Sequence, residues 1–125
     1  MKAFFVAAVA VLVAVVMVSA EIVTLTSANF DSIVKDETKD VFVKFYAPWC
    51  GHCVRMQPAW EALSEANTGA VIAEIDVTLN EDVAEKNQVE GFPTIKLFTK
   101  ADKSGKEYNG GRDVASLTAF VKANI

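Results

Sequence analysis

The sequence predicts one α/β domain in which a mixed β-sheet carries helices on both faces. Three observations lead there. Two short apolar runs rich in β-branched residues, Val41–Tyr46 and Val71–Val77, flank a helical stretch, and strand-helix-strand order implies a parallel pair. Two further strand-like segments, Thr94–Phe98 and Lys106–Tyr108, are separated by a turn around Ser104-Gly105 and can pair with each other. Finally, Val114, Leu117, Phe120 and Val121 recur at helical spacing behind the Gly110-Gly111 break.

Taken in order, Ile22–Thr26 reads as an edge strand and Phe30–Val34 as a short helix. Val41–Tyr46 is apolar except at Lys44 and is stopped by Pro48, which suits a central strand buried on both faces. The helical stretch that follows runs from about Cys50 to Asn67 and is closed by Gly69. After the second strand, Glu81–Gln88 forms another helical piece with Asn80 placed to cap it. Pro93 then opens the Thr94–Phe98 strand, and Asp113–Ala123 ends the domain as an amphipathic helix. The order is βαβαβαββα, with no repeat or linker inside it.

At 125 residues the chain has the size of one domain. Residues 1–20 hold 18 apolar residues, so the 52% hydrophobic content falls to about 45% over the remainder, an ordinary globular value. Lys2 followed by an uncharged run and then Val18-Ser19-Ala20 reads as a secretory signal cleaved after Ala20, leaving residues 21–125 as the functional domain. An uncleaved membrane anchor is the alternative, and only then would the chain have a membrane partner. Either way the domain enters an exocytic lumen, where oxidising conditions favour dithiol and disulfide chemistry. The chain stops at Lys122-Ala123-Asn124-Ile125 without a Lys-Asp-Glu-Leu type tetrapeptide, so secretion is an expected alternative to retention in the endoplasmic reticulum.

Without Lys2 the 12 basic residues become 11 against 16 acidic ones, a net charge of −5 that disfavours nucleic acid as a partner. Two cysteines and one histidine cannot complete a four-ligand structural metal site within one chain, so no metal is expected.

Trp49-Cys50-Gly51-His52-Cys53 lies where the buried strand ends and the long helix begins. Cys50 is therefore expected at a helix N-terminus, where free amides and the helix dipole favour thiolate over thiol, with His52 adding a charge or a donor. A mixed disulfide on Cys50 can be resolved by Cys53 of the same chain, and Gly51 keeps bulk away from the attacked sulfur. The same pair could instead form a structural disulfide, although a loop this short returns only about 2 kcal/mol. It could also share a metal between two chains. A hydrolase using His52 as base for Cys50 is a further reading, poorly served by two neighbours on one helical turn.

Phe45-Tyr46-Ala47-Pro48-Trp49-Cys50-Gly51-His52-Cys53, together with Gly91-Phe92-Pro93-Thr94, resembles a catalytic domain of the protein disulfide isomerase family, which has the thioredoxin fold. The resemblance runs from about Val23 to the C-terminus and includes Pro58, Gly111 and Arg112. It implies a redox-active Cys50–Cys53 pair with no other cofactor and a cis Pro93 facing the cysteines. It also implies an Arg112 that swings toward Cys53. The partners it implies are unfolded or disulfide-containing client proteins, with glutathione or a thiol oxidase restoring the redox state. The address it implies is the endoplasmic reticulum. A chaperone-like module that holds unfolded peptides without using the cysteines is the alternative function.

One departure stands out. Where the family carries a buried glutamate six residues before the first cysteine, this chain has Lys44, and the family's partner lysine aligns with Glu74. The expectation is an ion pair exchanged in place, with Glu74 accepting and returning the Cys53 proton. Among the aromatic residues, Phe42, Phe45, Trp60, Phe98 and Phe120 are expected in the core. Trp49 is expected on an apolar rim with Val54 and Phe92, against substrate.

Overall fold

The computed structural model describes residues 21–125; the expected signal segment, residues 1–20, lies outside the described residues. In chain order the elements are β1 (Val23–Leu25), α1 (Phe30–Val34), β2 (Val41–Tyr46), α2 (Gly51–Ser64), β3 (Val71–Asp76), α3 (Glu81–Lys86), β4 (Thr94–Phe98), β5 (Lys106–Glu107) and α4 (Val114–Asn124). A single 3₁₀ turn, Val77–Leu79, precedes α3. No helix among the described residues is long and apolar enough to cross a membrane.

The five strands lie in the order β1-β3-β2-β4-β5. β3 runs parallel to both β1 and β2, whereas β4 is antiparallel to β2 and to β5, so the sheet is mixed as the sequence predicts. β2 is the central strand and is buried along nearly all its length. Its side chains alternate between two cores, as a period of two requires. Val41, Val43 and Phe45 pack with Phe30 and Val34 of α1, Val83 and Ala84 of α3, and Phe98. Phe42 packs on the opposite face with Trp60 and Leu63 of α2, Leu117 and Val121 of α4, and Ile72 of β3. Phe42 lies 5.1 Å from the Trp60 ring and 5.7 Å from that of Phe120, which locks the two long helices onto the sheet.

This alternation places Lys44 on the same face as Phe42, beneath α2. The β2–β3 register sets it directly beside Glu74, whose neighbours Ile72 and Ala73 divide between the two cores in the same way.

Two expectations need correction. The long helix stops at Ser64 rather than near Asn67, because the chain turns into β3 through left-handed backbone at Asn67 (φ 51°) and Gly69 (φ 96°), conformations that Asn and Gly tolerate best. Asn80 occupies the N-cap position of α3, but its side chain does not cap the helix. Instead Asn80 Oδ1 accepts from the Ser27 amide at 2.8 Å, and Nδ2 donates to the Asp76 carbonyl at 2.9 Å. It thereby ties the β1–α1 loop to the end of β3. By contrast, Asp113 caps α4 through the Ser116 amide at 2.8 Å.

Replacing Asn80 with alanine strands the Ser27 amide and the Asp76 carbonyl. It is expected to cost about 1–3 kcal/mol, read as a lower urea midpoint with an unchanged denaturation slope.

Candidate active site

β2 delivers the chain to the edge of the sheet, and Pro48 prevents the strand from continuing. The Cys50 amide donates to the Ala47 carbonyl at 3.1 Å, and Cys50, with extended backbone (φ −80°, ψ 113°), becomes the N-cap of α2. In that position its sulfur does what a capping oxygen does elsewhere: Cys50 Sγ accepts a hydrogen bond from the Cys53 amide at 3.2 Å. The Cys50 carbonyl takes the Val54 amide at 3.0 Å, starting the helix.

Both cysteines are free thiols and both are buried, with 7% of Cys50 and 3% of Cys53 exposed. Their acidities are driven apart. Burial alone would raise the Cys50 pKa, but hydrogen bonds from the Cys53 thiol and from the Cys53 and His52 backbone, with the Arg112 charge behind them, outweigh it and bring the thiol below its ordinary value. Cys53 is pushed up to about 11, first by burial and then by its hydrogen bond to Cys50; the Ala47 backbone and the Lys44 charge pull weakly the other way. One sulfur is prepared to ionise and its neighbour to hold a proton.

His52 and Arg112 act on Cys50 in different ways. His52 is exposed, and its Nδ1 lies 2.8 Å from Arg55 Nη2. Because a guanidinium can only donate, Nδ1 is the acceptor of this contact. The His52 help to Cys50 comes from its backbone. The Arg112 charge favours the thiolate of Cys50, the N-terminal cysteine of the pair.

Beneath the cysteines, Lys44 is only 1% exposed. Its Nζ lies 3.4 Å from Glu74 Oε1 and donates to Gln57 Oε1, with the Tyr46 and Trp60 rings 5.3 and 5.7 Å away. Gln57 Nε2 in turn reaches Glu74 Oε1 at 3.4 Å. Burial lowers the Lys44 pKa, opposed by the Glu74 carboxylate. A cavity of about 210 Å³ is lined by Lys44, Gln57, Tyr46 and Cys53, and Glu74 is not part of its wall. Of the ion pair, Lys44 is the member that lines this cavity with Cys53.

Above the site Trp49 is 71% exposed, and its ring meets Phe92 edge-on at 5.7 Å. Phe92 packs against Ala47, Cys50 and Cys53, and the Phe92–Pro93 peptide bond is cis. Val54 is also exposed, so the rim beside Cys50 is apolar. Among the described residues no three of His, Cys, Asp and Glu gather closely enough to hold a metal ion.

Reading the sequence missed Gln57 and Arg55. Both were accessible in principle: Gln57 is four residues after Cys53 and Arg55 three after His52, so each shares a helical face with its partner.

A match to the thioredoxin family covers residues 21–123. The chain belongs to the thioredoxin family. Within that family it is 46% identical over 112 residues to protein disulfide isomerase-like 2-1 of Oryza sativa subsp. japonica, covering 87% of this chain and 31% of that protein. It is 48% identical over 102 residues to protein disulfide-isomerase A2 of Mus musculus, covering 78% of this chain and 19% of the relative. The chain thus spans less than a third of the length of either. The solution structure of the first thioredoxin domain of mouse protein disulfide-isomerase A4 superimposes with a TM-score of 0.69 at 35% identity, covering 80% of this chain and 72% of that one. The thioredoxin fold read from the Phe45–Cys53 and Gly91–Thr94 segments is thereby borne out.

Only the thiolate is alkylated, so a lowered pKa moves reactivity to lower pH. Iodoacetamide labelling of the reduced chain is expected to modify Cys50 with a midpoint below that of free cysteine, about 8.5. Cys53 should stay protected until the pH approaches 11. Coincident midpoints for the two sulfurs would contradict the site described.

Proposed function

We propose that this thioredoxin-family chain is a thiol-disulfide oxidoreductase of the protein disulfide isomerase class that forms, reduces or rearranges disulfides in client proteins. The observation that carries the reading is the Cys50 sulfur held as the acceptor at the start of α2 with a protonated Cys53 beside it. The Cys50 thiolate attacks one sulfur of a client disulfide, forms a mixed disulfide and releases the other client sulfur as a thiolate. Cys53 then loses its proton and attacks Cys50, which releases the client and closes the Cys50–Cys53 disulfide. Run backwards, the same two steps oxidise a client dithiol. Rearrangement results when another thiolate of the client displaces Cys50 instead.

The electrons remain on sulfur throughout, so the pair itself is the only redox group required. Glutathione or a thiol oxidase resets it, and the lumen of the secretory pathway, in the first instance the endoplasmic reticulum, is the working compartment. Trp49, Val54 and Phe92 offer apolar contact to unfolded segments, and the backbone preceding Pro93 pairs with an extended client strand.

Lys44 and Glu74 take positioning roles in the second step. The Lys44 ammonium favours the thiolate of Cys53 across their shared cavity, while Glu74 and Gln57 hold Lys44 charged despite its burial. Glu74 therefore acts through Lys44 rather than as the direct proton acceptor.

Reactivation of scrambled ribonuclease tests the reading. The wild-type chain is expected to restore activity, Cys50→Ser to fall to background, and Cys53→Ser to accumulate trapped mixed disulfides. Activity that survives Cys50→Ser would assign the chain to peptide holding through its exposed rim instead.

Lys44→Met and Glu74→Gln are expected to slow release of the mixed disulfide about tenfold, the equivalent of one pKa unit on Cys53, with the pH profile of release displaced upward. An unmoved profile would return both residues to a purely structural role.

A further inference from the structure

The geometry points to an anion subsite beside Cys50, formed by Arg55 and Arg112, that takes a carboxylate carried by the partner thiol or disulfide. This rests on the exchange chemistry proposed above and adds a preference to it, for partners with a carboxylate within about one residue of the reacting sulfur.

Arg55 occupies the first turns of α2, three residues after His52. Its Nη2 donates to His52 Nδ1 at 2.8 Å, and a β-carbon built on Gly51 would stand 3.2 Å from Nη1, so the guanidinium lies directly against the residue following Cys50. Arg55, His52, Arg112 and Met56 line a cavity of about 200 Å³, room for one short acidic side chain or chain terminus and not for a whole tripeptide. Met56 is buried and forms an apolar floor. No carboxylate lines the cavity. The ion pairs among the described residues join Lys44 to Glu74 and Lys100 to Asp40, which leaves both guanidinium groups unpaired. Asp113, the acidic neighbour of Arg112 in sequence, is committed to the Ser116 amide and hydroxyl at the start of α4.

Two further observations give the cluster its direction. The Arg112 charge is felt at Cys50, so the cavity and the nucleophile share one electrostatic environment. The chain as a whole is acidic, with a net charge of −4, and repels anionic partners at long range. Any recruitment of a carboxylate to Cys50 must therefore come from a local cluster, and guanidinium groups, with planar forks of N–H donors, suit carboxylates best.

In the exchange step a partner R–S–S–R places a carboxylate of R on the two guanidiniums while the Cys50 thiolate attacks the adjacent sulfur. A Cys50–S bond forms, the original S–S bond breaks, and the departing R–S⁻ carries away the electron pair and takes a proton from water. Cys53 then gives its proton to water and attacks Cys50, so that the Cys50–Cys53 bond forms, the mixed disulfide breaks and the second R–S⁻ leaves and is protonated by water. Two electrons pass from the dithiol to the partner, and the reverse sequence re-oxidises the dithiol.

The test uses the reduced chain and compares Cys50 alkylation by anionic iodoacetate and neutral iodoacetamide, read on the Cys50 peptide by mass spectrometry. Their rate ratio cancels any change in thiolate population. The ratio is expected to fall about threefold in Arg55→Gln and about tenfold in the Arg55→Gln/Arg112→Gln double variant, magnitudes typical of exposed charge pairs. It should recover in Arg55→Lys and fall in high salt. Lys122→Gln makes the same charge change at the far end of α4 and should leave the ratio as in wild type. Equal ratios in wild type and Arg55→Gln, or an equal fall in Lys122→Gln, would overturn the subsite.

Two disulfide arms identify the source of the carboxylate, each measured against neutral 2-hydroxyethyl disulfide. These are oxidised glutathione and a peptide disulfide with Asp beside its cysteine. An Arg55 effect with glutathione alone assigns the subsite to the small redox partner, and one with the peptide alone assigns it to acidic client segments. An effect with neither overturns its part in exchange. A chain that shows the alkylation ratio but exchanges with no disulfide would end the proposed function and leave the anion subsite standing.

Discussion

The hydrogen bond from the Cys53 amide to the Cys50 sulfur is the contact on which the site depends. It exists because a helix must begin somewhere, and its first amides have no partner within the helix. In most proteins an oxygen of Ser, Thr, Asp or Asn fills that position. Here a cysteine does, and the need of the helix for an acceptor becomes a reason for the sulfur to be negative. The same bond brings Cys53 close enough for each thiol to hold the acidity of the other away from its free value.

The placement of that cap follows from the sheet. β2 is hydrogen-bonded on both sides, to β3 and β4, and sandwiched between two apolar cores, so the chain leaves it at a defined point and in a defined direction. Phe42, Trp60 and Phe120 hold α2 and α4 against one face of the sheet, and α2 cannot drift without opening that contact. A thiol built on such a rigid junction is held in a defined position. The cis Phe92–Pro93 segment and the Trp49 ring come from separate parts of the chain and converge on the same edge.

Electrostatics around the two sulfurs is divided by depth. Near the surface, Arg112 favours negative charge on Cys50, while His52 contributes through its backbone and uses its ring to orient Arg55. Below, Lys44 of the Lys44–Gln57–Glu74 cluster lines the cavity that reaches Cys53, while Glu74 does not. With Lys44 rather than Glu74 in the cavity wall, the nearer member of the pair to Cys53 is the basic one. Burial makes that difference felt, because little water intervenes to screen it.

The strands, the helices and the place of the cysteines at the start of α2 were legible in the order of residues alone. β-branched runs stopped by Pro48, a helical stretch opening on Cys50, and the spacing of Val114, Leu117 and Val121 are local patterns, and the backbone obeys them locally. The pairing of Lys44 with Glu74 was expected only through the family resemblance, and the β2–β3 register sets the two side by side. The packed molecule was needed to show which member of that pair lines the cavity with Cys53, that Asn80 ties the β1–α1 loop to the end of β3 instead of capping α3, and that Arg55 lies over Gly51 beside Cys50. Those outcomes depend on how side chains from different elements divide a small space. Periodicity along one chain segment carries no information about the neighbour that arrives from another.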